Sequence, residues 1–339
     1  MRRGLCVLLL LLAACGGDSD SGGGGEQRDI TMAQLNILHG TSGMCNQQAN
    51  CRLSERIDLL YQWIERSGCP DVVTLQEVWS GAVPLLQDGA AAACPFPYTV
   101  AIASQRLGPD ESAILSRYPV RSIESQPLFP GFRKVVHAVI DHPLGSLDVY
   151  STHLASGADG ATVPCQGPSP CPQVCLDRGA QTRRECQAVQ MVDYIEETRG
   201  DGLPVLIGGD FNAQPDSFVY RQFVDRGWLD VYLAAGNPEC APASGRGCTS
   251  GREDENLSEL ESLQSNEGAR IDFIFVIPAA DATTCANRLD SGRDRDGDGT
   301  ATRLFTDDPN PFARTCGAAP LPICWPSDHE GVELDLNCD

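Results

Sequence analysis

Several short stretches of this chain end an apolar run with a side chain able to bind a cation or move a proton. They are Asn36 in Gln34-Leu35-Asn36-Ile37, Glu77 in Leu75-Gln76-Glu77-Val78, and His153 in Ser151-Thr152-His153-Leu154. Further on come Asp210 and Asn212 in Gly208-Gly209-Asp210-Phe211-Asn212, Asp272 in Arg270-Ile271-Asp272-Phe273, and the pair Asp328-His329. Should they converge, the carboxylates of Glu77, Asp210 and Asp328 form a hard-oxygen donor set suited to Mg²⁺ or Mn²⁺, able to polarise a phosphoryl oxygen. Two imidazoles beside them can shuttle protons near neutral pH. The glycines before Asp210 read as permitting a sharp turn, and residues two apart on an extended chain face one side. Singly such residues are more often caps, surface charges or satisfied structural groups, as His39, His137 and His142 read; the ordered set carries the argument.

Those residues need strands to hold them. Apolar, β-branched runs at 30–38, 71–78, 98–103, 112–116, 134–140, 147–152, 203–208, 271–277 and 332–336 read as strands. Helical spacing marks 54–66, with Ser54 as its cap, and 181–198. Strands mixed with helices at this density indicate an α/β class, and strand ends are where such sheets gather ligands. Gly-, Pro- and Cys-rich insertions near 155–180, 236–268 and 281–325 read as long loops around the core.

The N-terminus bears on compartment. Arg2 and Arg3 precede an apolar run from Leu5 to Leu12, then Leu12-Ala13-Ala14-Cys15 and a Gly/Ser/Asp-rich stretch. This resembles a bacterial lipoprotein signal peptide: residues 1–14 leave, Cys15 takes lipid, and 15–29 form a flexible tether to the 30–339 domain. A plain cleaved secretory signal is the other reading; either implies export, and lipidation implies anchoring to the cell envelope. Without Cys6 and Cys15, an even fourteen of the sixteen cysteines remain, as suits an oxidising compartment. The groups Cys45/Cys51, Cys165/Cys171/Cys175/Cys186, Cys240/Cys248 and Cys316/Cys324 read as local loop staples. A zinc site at Cys165, Cys171, Cys175 and Cys186 is the competing use, though the spacing is irregular. Asp294, Asp296 and Asp298 before Gly299 resemble the start of a calcium loop, but the twelfth position from Asp294 is Phe305 rather than Glu. A structural Ca²⁺ and a solvated acidic loop are both open there.

The series Leu-Asn-Ile, Leu-Gln-Glu-Val, Ala-Ile-Leu-Ser-Arg-Tyr-Pro at 113–119, Thr-His-Leu, Gly-Asp-Phe-Asn, Arg-Ile-Asp-Phe-Ile-Phe and Ser-Asp-His resembles the endonuclease/exonuclease/phosphatase superfamily from about residue 30 to 337. The resemblance implies a four-layered sandwich of two mixed β-sheets flanked by helices, with the active site at one edge. It implies Glu77 as principal metal ligand beside Asn36, with Asp328 as a further metal-side carboxylate. Asp210 and Asn212 would hold the attacking water and a phosphate oxygen, Asp210 also on the metal side. His329 would be the general base, oriented by Asp272. His153 would donate to the scissile phosphate or leaving oxygen, with Glu111 as its orienting group. The implied reaction is in-line attack of water on phosphorus without a covalent enzyme intermediate.

Substrate class stays divided. A formal charge of −21 repels polyanions at long range, although a metal supplies positive charge locally. Gln76-Glu77-Val78-Trp79-Ser80 resembles secreted and neutral sphingomyelinases, whereas His153 in Thr-His-Leu also resembles secreted deoxyribonucleases. No basic, aromatic-interleaved strip tracks a nucleic-acid backbone, and no aromatic hairpin is evident for entering lipid. The expected partners are a nucleic-acid or phospholipid phosphodiester and, through the N-terminal lipid, a membrane; the chain reads as a monomer. A catalytically inactive binding module on the same fold is the competing reading, and no substitution of Glu77, Asp210 or His329 supports it.

Overall fold

Strands β1 (Asp29–Asn36) and β2 (Val72–Val78) run parallel, with Asn36 opposite Gln76. Parallel neighbours need a long crossover, and helix α1 (Leu53–Arg66) supplies it. The arrangement recurs further along: β7 (Gly145–His153) lies parallel to β8 (Val205–Asp210), with α4 (Arg183–Thr198) between them in sequence. Antiparallel strands extend each pair into a six-stranded mixed sheet. The first has the order β11-β12-β1-β2-β4-β3, where β3 is Thr99–Ile102, β4 Glu111–Ser116, β11 Arg288–Leu289 and β12 Val332–Asn337. The second has the order β5-β6-β7-β8-β10-β9, where β5 is Val120–Leu128, β6 Arg133–His142, β9 Leu229–Asp230 and β10 Asp272–Ile277. This computed structural model describes residues 29–39, 49–103, 111–157, 160–245, 247–251, 260, 268–279, 288–289 and 323–337.

Period-two alternation explains the layering, since successive side chains of a strand face opposite sides. In β1, Ile30 and Met32 face the second sheet and pack against Val136, Val149, Leu206 and Ile274. Ala33 and Leu35 face the other way, onto Leu60, Trp63 and Ile64 of α1 and Leu86 of α2 (Ala82–Ala90). On the far side of the second sheet, Phe211, Phe273 and Phe275 pack edge-on and stacked with Phe223 of α5 (Phe218–Val224), beside Met191 and Val192 of α4. Helices, sheet, sheet and helices thus form the four layers that the resemblance implied.

Several elements escape a reading by periodicity. Strand β5 (VRSIESQPL) is a mostly exposed edge strand, so it lacks an apolar rhythm and tolerates Pro127. Helix α2 contains Pro84 and Gly89, residue types that disfavour a helix interior, yet Pro84 sits in the first turn, where its missing N–H costs nothing. Short helices α3 (Gln173–Asp177) and α6 (Val231–Ala234) lie within loop-like sequence. Ser54 does not cap α1: the chain enters through a 3-10 turn at Ala49–Arg52, and Cys51 and Arg52 take left-handed φ values of 50° and 54°. Thr182 does cap α4, in a reciprocal box with Glu185.

The four thiols weighed as a zinc site pair instead as Cys165–Cys171 and Cys175–Cys186, leaving no ligand for a metal. Cys240–Cys248 is likewise a local staple, while Cys69–Cys94 joins the end of α1 to the chain after α2. No described helix is long and apolar enough to cross a membrane. Cys15, the tether as far as residue 28, the staples read for Cys45/Cys51 and Cys316/Cys324 through Cys45 and Cys316, and the acidic loop of Asp294, Asp296 and Asp298 lie outside the described residues, while Asp29 already opens β1.

Candidate active site

Both parallel pairs end at the same edge of the sandwich. In the second sheet, His153 closing β7 pairs in register with Asp210 closing β8, which in turn pairs with Asp272 opening β10. In the first sheet, Asn36 closes β1 and Glu77 lies near the end of β2. The loop before β12 brings Asp328 and His329 to this edge, where His329 bridges Ser250. All the expected chemistry-bearing side chains except Glu111 can therefore be placed around one point.

Asp210 is the hub. Its Oδ1 accepts from the Asn212 backbone N–H at 2.8 Å, and its Oδ2 accepts from the Asn36 amide at 3.1 Å. The same Asn36 nitrogen donates to Glu77 Oε1 at 2.9 Å, so one amide holds two carboxylates side by side. Asn212 does not extend the strand as expected: it takes a left-handed φ of 50° and folds its side chain back to Asp210 Oδ2 at 3.3 Å. Nor do the preceding glycines turn the chain, because both lie inside β8. They are needed for close approach. A Cβ on Gly209 would sit 2.3 Å from the Thr152 carbonyl oxygen, and one on Gly208 would sit 2.5 Å from Met32 Cε. Gly209→Ala is accordingly expected to cost about 1–3 kcal/mol in a denaturant titration; an unchanged midpoint would mean that β7 can move aside.

Glu77 owes its aim to a strained backbone. Strand β2 bulges between Leu75 and Val78, and Glu77 takes φ 57°, a region non-glycine residues adopt at a cost of about 1–3 kcal/mol. Its Oε2 accepts from the His39 N–H at 2.9 Å, with the His39 ring 3.7 Å away. His39, which read as a satisfied structural residue, is thus also a neighbour of the site. Burial alone would raise the Glu77 carboxyl, but positive charge on the neighbouring His153 and His39 rings when they are protonated, the His39 N–H and the Asn36 amide hold it below the usual carboxylate range. His137 and His142 do have structural partners, Asp148 and Asp71.

The two site histidines have different surroundings. His329 Nδ1 lies 2.9 Å from Asp272 Oδ2, and its Nε2 lies 3.9 Å from Asp210 Oδ2. Asp272 is itself fixed by Thr249 Oγ1 at 2.7 Å and the Gln34 amide at 3.3 Å. Burial would lower the His329 imidazole, but the carboxylates of Asp272, Asp328 and Asp210 outweigh it and raise the ring well above its ordinary value. His153 Nε2 lies 3.3 Å from Asp210 Oδ2 and 3.0 Å from the Asn212 amide. Its other nitrogen meets Arg133 Nη1 at 2.8 Å. Burial, aided by the Arg133 charge, lowers the His153 imidazole despite Asp210 and Glu77. Glu111, the expected orienting group, opens β4 with its backbone opposite Val78, and its side chain lies outside the described residues.

Ligand-capable atoms of Asp210, Asp272 and His329 lie within 4.8 Å of one another. Asp272 and His329 are already bonded to each other, however, so the oxygen-rich side formed by Glu77, Asn36 and Asp210 suits a hard cation better. Asp328 stands nearby: Ser327 Oγ donates its one hydrogen to the Asn36 carbonyl at 2.6 Å and lies 3.1 Å from Asp328 Oδ1. Arg56, buried behind this group, donates to the Ile37, Cys51 and Pro326 carbonyls, tying the loops that carry Asn36 and Asp328. Arg133, Arg56, Thr249, Gln34 and Ser327 were not foreseen as site residues. Only Ser327, inside the Ser-Asp-His motif, carried a local signal.

Comparison with known proteins agrees with this architecture. The model of the Endonuclease/Exonuclease/phosphatase family matches residues 33–329. A putative neutral sphingomyelinase of Drosophila melanogaster is 26% identical over 236 residues, 65% of this chain. The chain spans about half of that relative, 47% of its length. Among solved structures, an endonuclease/exonuclease/phosphatase family protein from Bacteroides thetaiotaomicron superposes with a TM-score of 0.59 at 16% identity, covering 92% of this chain and 98% of that one. D. rerio TDP2 complexed with a single-strand DNA product superposes with a TM-score of 0.58 at 17% identity, covering 92% and 100%. The chain belongs to the endonuclease/exonuclease/phosphatase family of divalent-metal-dependent phosphoester hydrolases.

Proposed function

We propose that this chain is an exported, lipid-anchored phosphodiesterase that hydrolyses the phosphodiester of a phospholipid of the sphingomyelin type. The observation carrying the chemistry is the Asp272–His329 pair aimed across Asp210 toward His153. In that arrangement the neutral form of His329, populated as pH rises through its raised pKa, takes the proton of the attacking water at Nε2. Asp210 and Asn212 hold that water and a phosphate oxygen, and His153 faces the phosphate from the opposite side. Glu77, Asn36, Asp210 and Asp328 would hold Mg²⁺ or Mn²⁺, which when bound polarises a phosphoryl oxygen and offsets negative charge developing on it.

Three observations favour a lipid over a nucleic acid: the sphingomyelinase relative, the formal charge of −21, and an element hidden in the sequence. The β5–β6 hairpin turns through Gly131 and presents Phe132 at 75% exposure, one residue from Arg133. An aromatic side chain held in water beside a catalytic site is suited to enter a lipid surface. No aromatic hairpin was evident from the sequence because β5 was not legible as a strand; the β5–β6 turn supplies the one exposed aromatic on which this reading draws, Phe132.

Side-by-side assay of the purified protein on sphingomyelin vesicles, plasmid DNA and a soluble phosphomonoester tests the reading. Sphingomyelin should be cleaved fastest, and Phe132→Ser should lose several-fold more on vesicles than on a soluble diester. DNA cleavage without lipid turnover would make the chain a nuclease; no turnover on any substrate would leave an inactive binding module. The anchor is checked by intact mass. Protein from membranes should begin at an acylated Cys15, and a chain retaining Met1 would remove the tether.

A further inference from the structure

Arg133 stands directly behind His153, buried at 8% exposure at the start of β6. A guanidinium has N–H donors and no acceptor, so the His153 Nδ1 that meets Arg133 Nη1 at 2.8 Å must present its lone pair. A neutral imidazole carries hydrogen on one nitrogen, which leaves Nε2. That nitrogen faces Asp210 Oδ2 at 3.3 Å. The Asn212 amide, 3.0 Å from Nε2, can direct its two hydrogens to the Leu154 carbonyl at 3.0 Å and to Asp210 Oδ2 at 3.3 Å, so it does not require a lone pair there.

His329, in its neutral form, has the opposite arrangement, since a carboxylate behind its Nδ1 makes Nδ1 the hydrogen-bearing nitrogen and leaves Nε2 as the acceptor. Two imidazoles around one aspartate are thus polarised in opposite senses by what stands behind each. We propose that Arg133 is a positioning residue that fixes His153 as an Nε2–H hydrogen-bond donor to a phosphoryl oxygen, leaving proton acceptance to His329 alone. No bond to hydrogen is broken at His153. The ring stabilises charge as it develops on the phosphoryl group and ends each turnover in the tautomer it began with. The proposal rests on the phosphodiesterase reading for its kinetics, but its tautomer claim stands apart from any activity.

The experiment joins ¹⁵N NMR of the imidazoles to kinetics of designed replacements. The chain has 5 histidines, so His153→Ala assigns the His153 signals. The wild-type whole chain should show His153 with hydrogen on Nε2 and none on Nδ1. Arg133→Glu, which accepts at Nδ1, should reverse the tautomer and lower kcat on a soluble diester about as far as His153→Ala, by roughly 10²–10³. Arg133→Gln can still donate to Nδ1 and should recover most of that loss. The double variant Arg133→Glu/His153→Ala should be no worse than His153→Ala alone. A wild-type Nδ1–H signal would overturn the proposal, and that reading needs no variant to fold. Additive losses, or Arg133→Gln falling as far as Arg133→Glu, would instead make Arg133 a direct phosphate ligand or a structural group. Failure of the wild-type chain to cleave any diester would defeat the functional reading while leaving the tautomer measurement in force.

Discussion

His329→Ala is expected to lower kcat by about 10²–10⁴ with little change in KM, the usual worth of a positioned proton acceptor. The size follows from how completely the ring is prepared. Asp272 holds Nδ1 at 2.9 Å, Thr249 and Gln34 hold Asp272, and the Ser327 hydroxyl holds the His329 backbone N–H at 3.1 Å. Alanine leaves the Asp272 carboxylate buried without its imidazole, so stability should be measured in parallel by thermal unfolding. Undiminished turnover by folded His329→Ala would remove the residue from the mechanism.

Chelation is expected to have the other large effect. EDTA should abolish hydrolysis of bis(p-nitrophenyl) phosphate, and Mg²⁺ or Mn²⁺ should restore it. Glu77 and Asp210 share one Asn36 amide, so the anionic phosphate of a diester approaching them meets carboxylate charge unless a cation intervenes. The protein holds Glu77 in a left-handed backbone conformation to bring about this crowding, which is a cost without purpose unless something gathers there. Turnover surviving exhaustive chelation would show that the carboxylates serve another end.

How much of this was legible in the sequence depended on burial. Strands β1, β2, β8 and β10 are buried on both faces and largely apolar, and the polar residues at or near their ends stood out against that background, which is why Asn36, Glu77, Asp210 and Asp272 could be picked out. The Asp272–His329 relation could be stated only through resemblance, since 57 residues separate the pair. Strand β5 was illegible because an edge strand in water needs no apolar face, and its hairpin hid both Phe132 and Arg133. An arginine beside an exposed phenylalanine looks like ordinary surface; only the fold turns its guanidinium inward onto His153. Thr249 and Gln34 were hidden for a related reason: small polar residues acquire their role from the carboxylate they meet, which is remote in the chain. The glycines of Gly208-Gly209-Asp210 were noticed for the wrong property, since steric room rather than backbone freedom is what their place between Met32 and Thr152 demands.

Anomalous diffraction from crystals grown with Mn²⁺ examines the whole construction at once. The predicted result is a peak about 2.1 Å from a Glu77 oxygen, on the side shared with Asn36 and Asp210. A strong peak elsewhere in the chain, with Glu77 bare at saturating Mn²⁺, would contradict it.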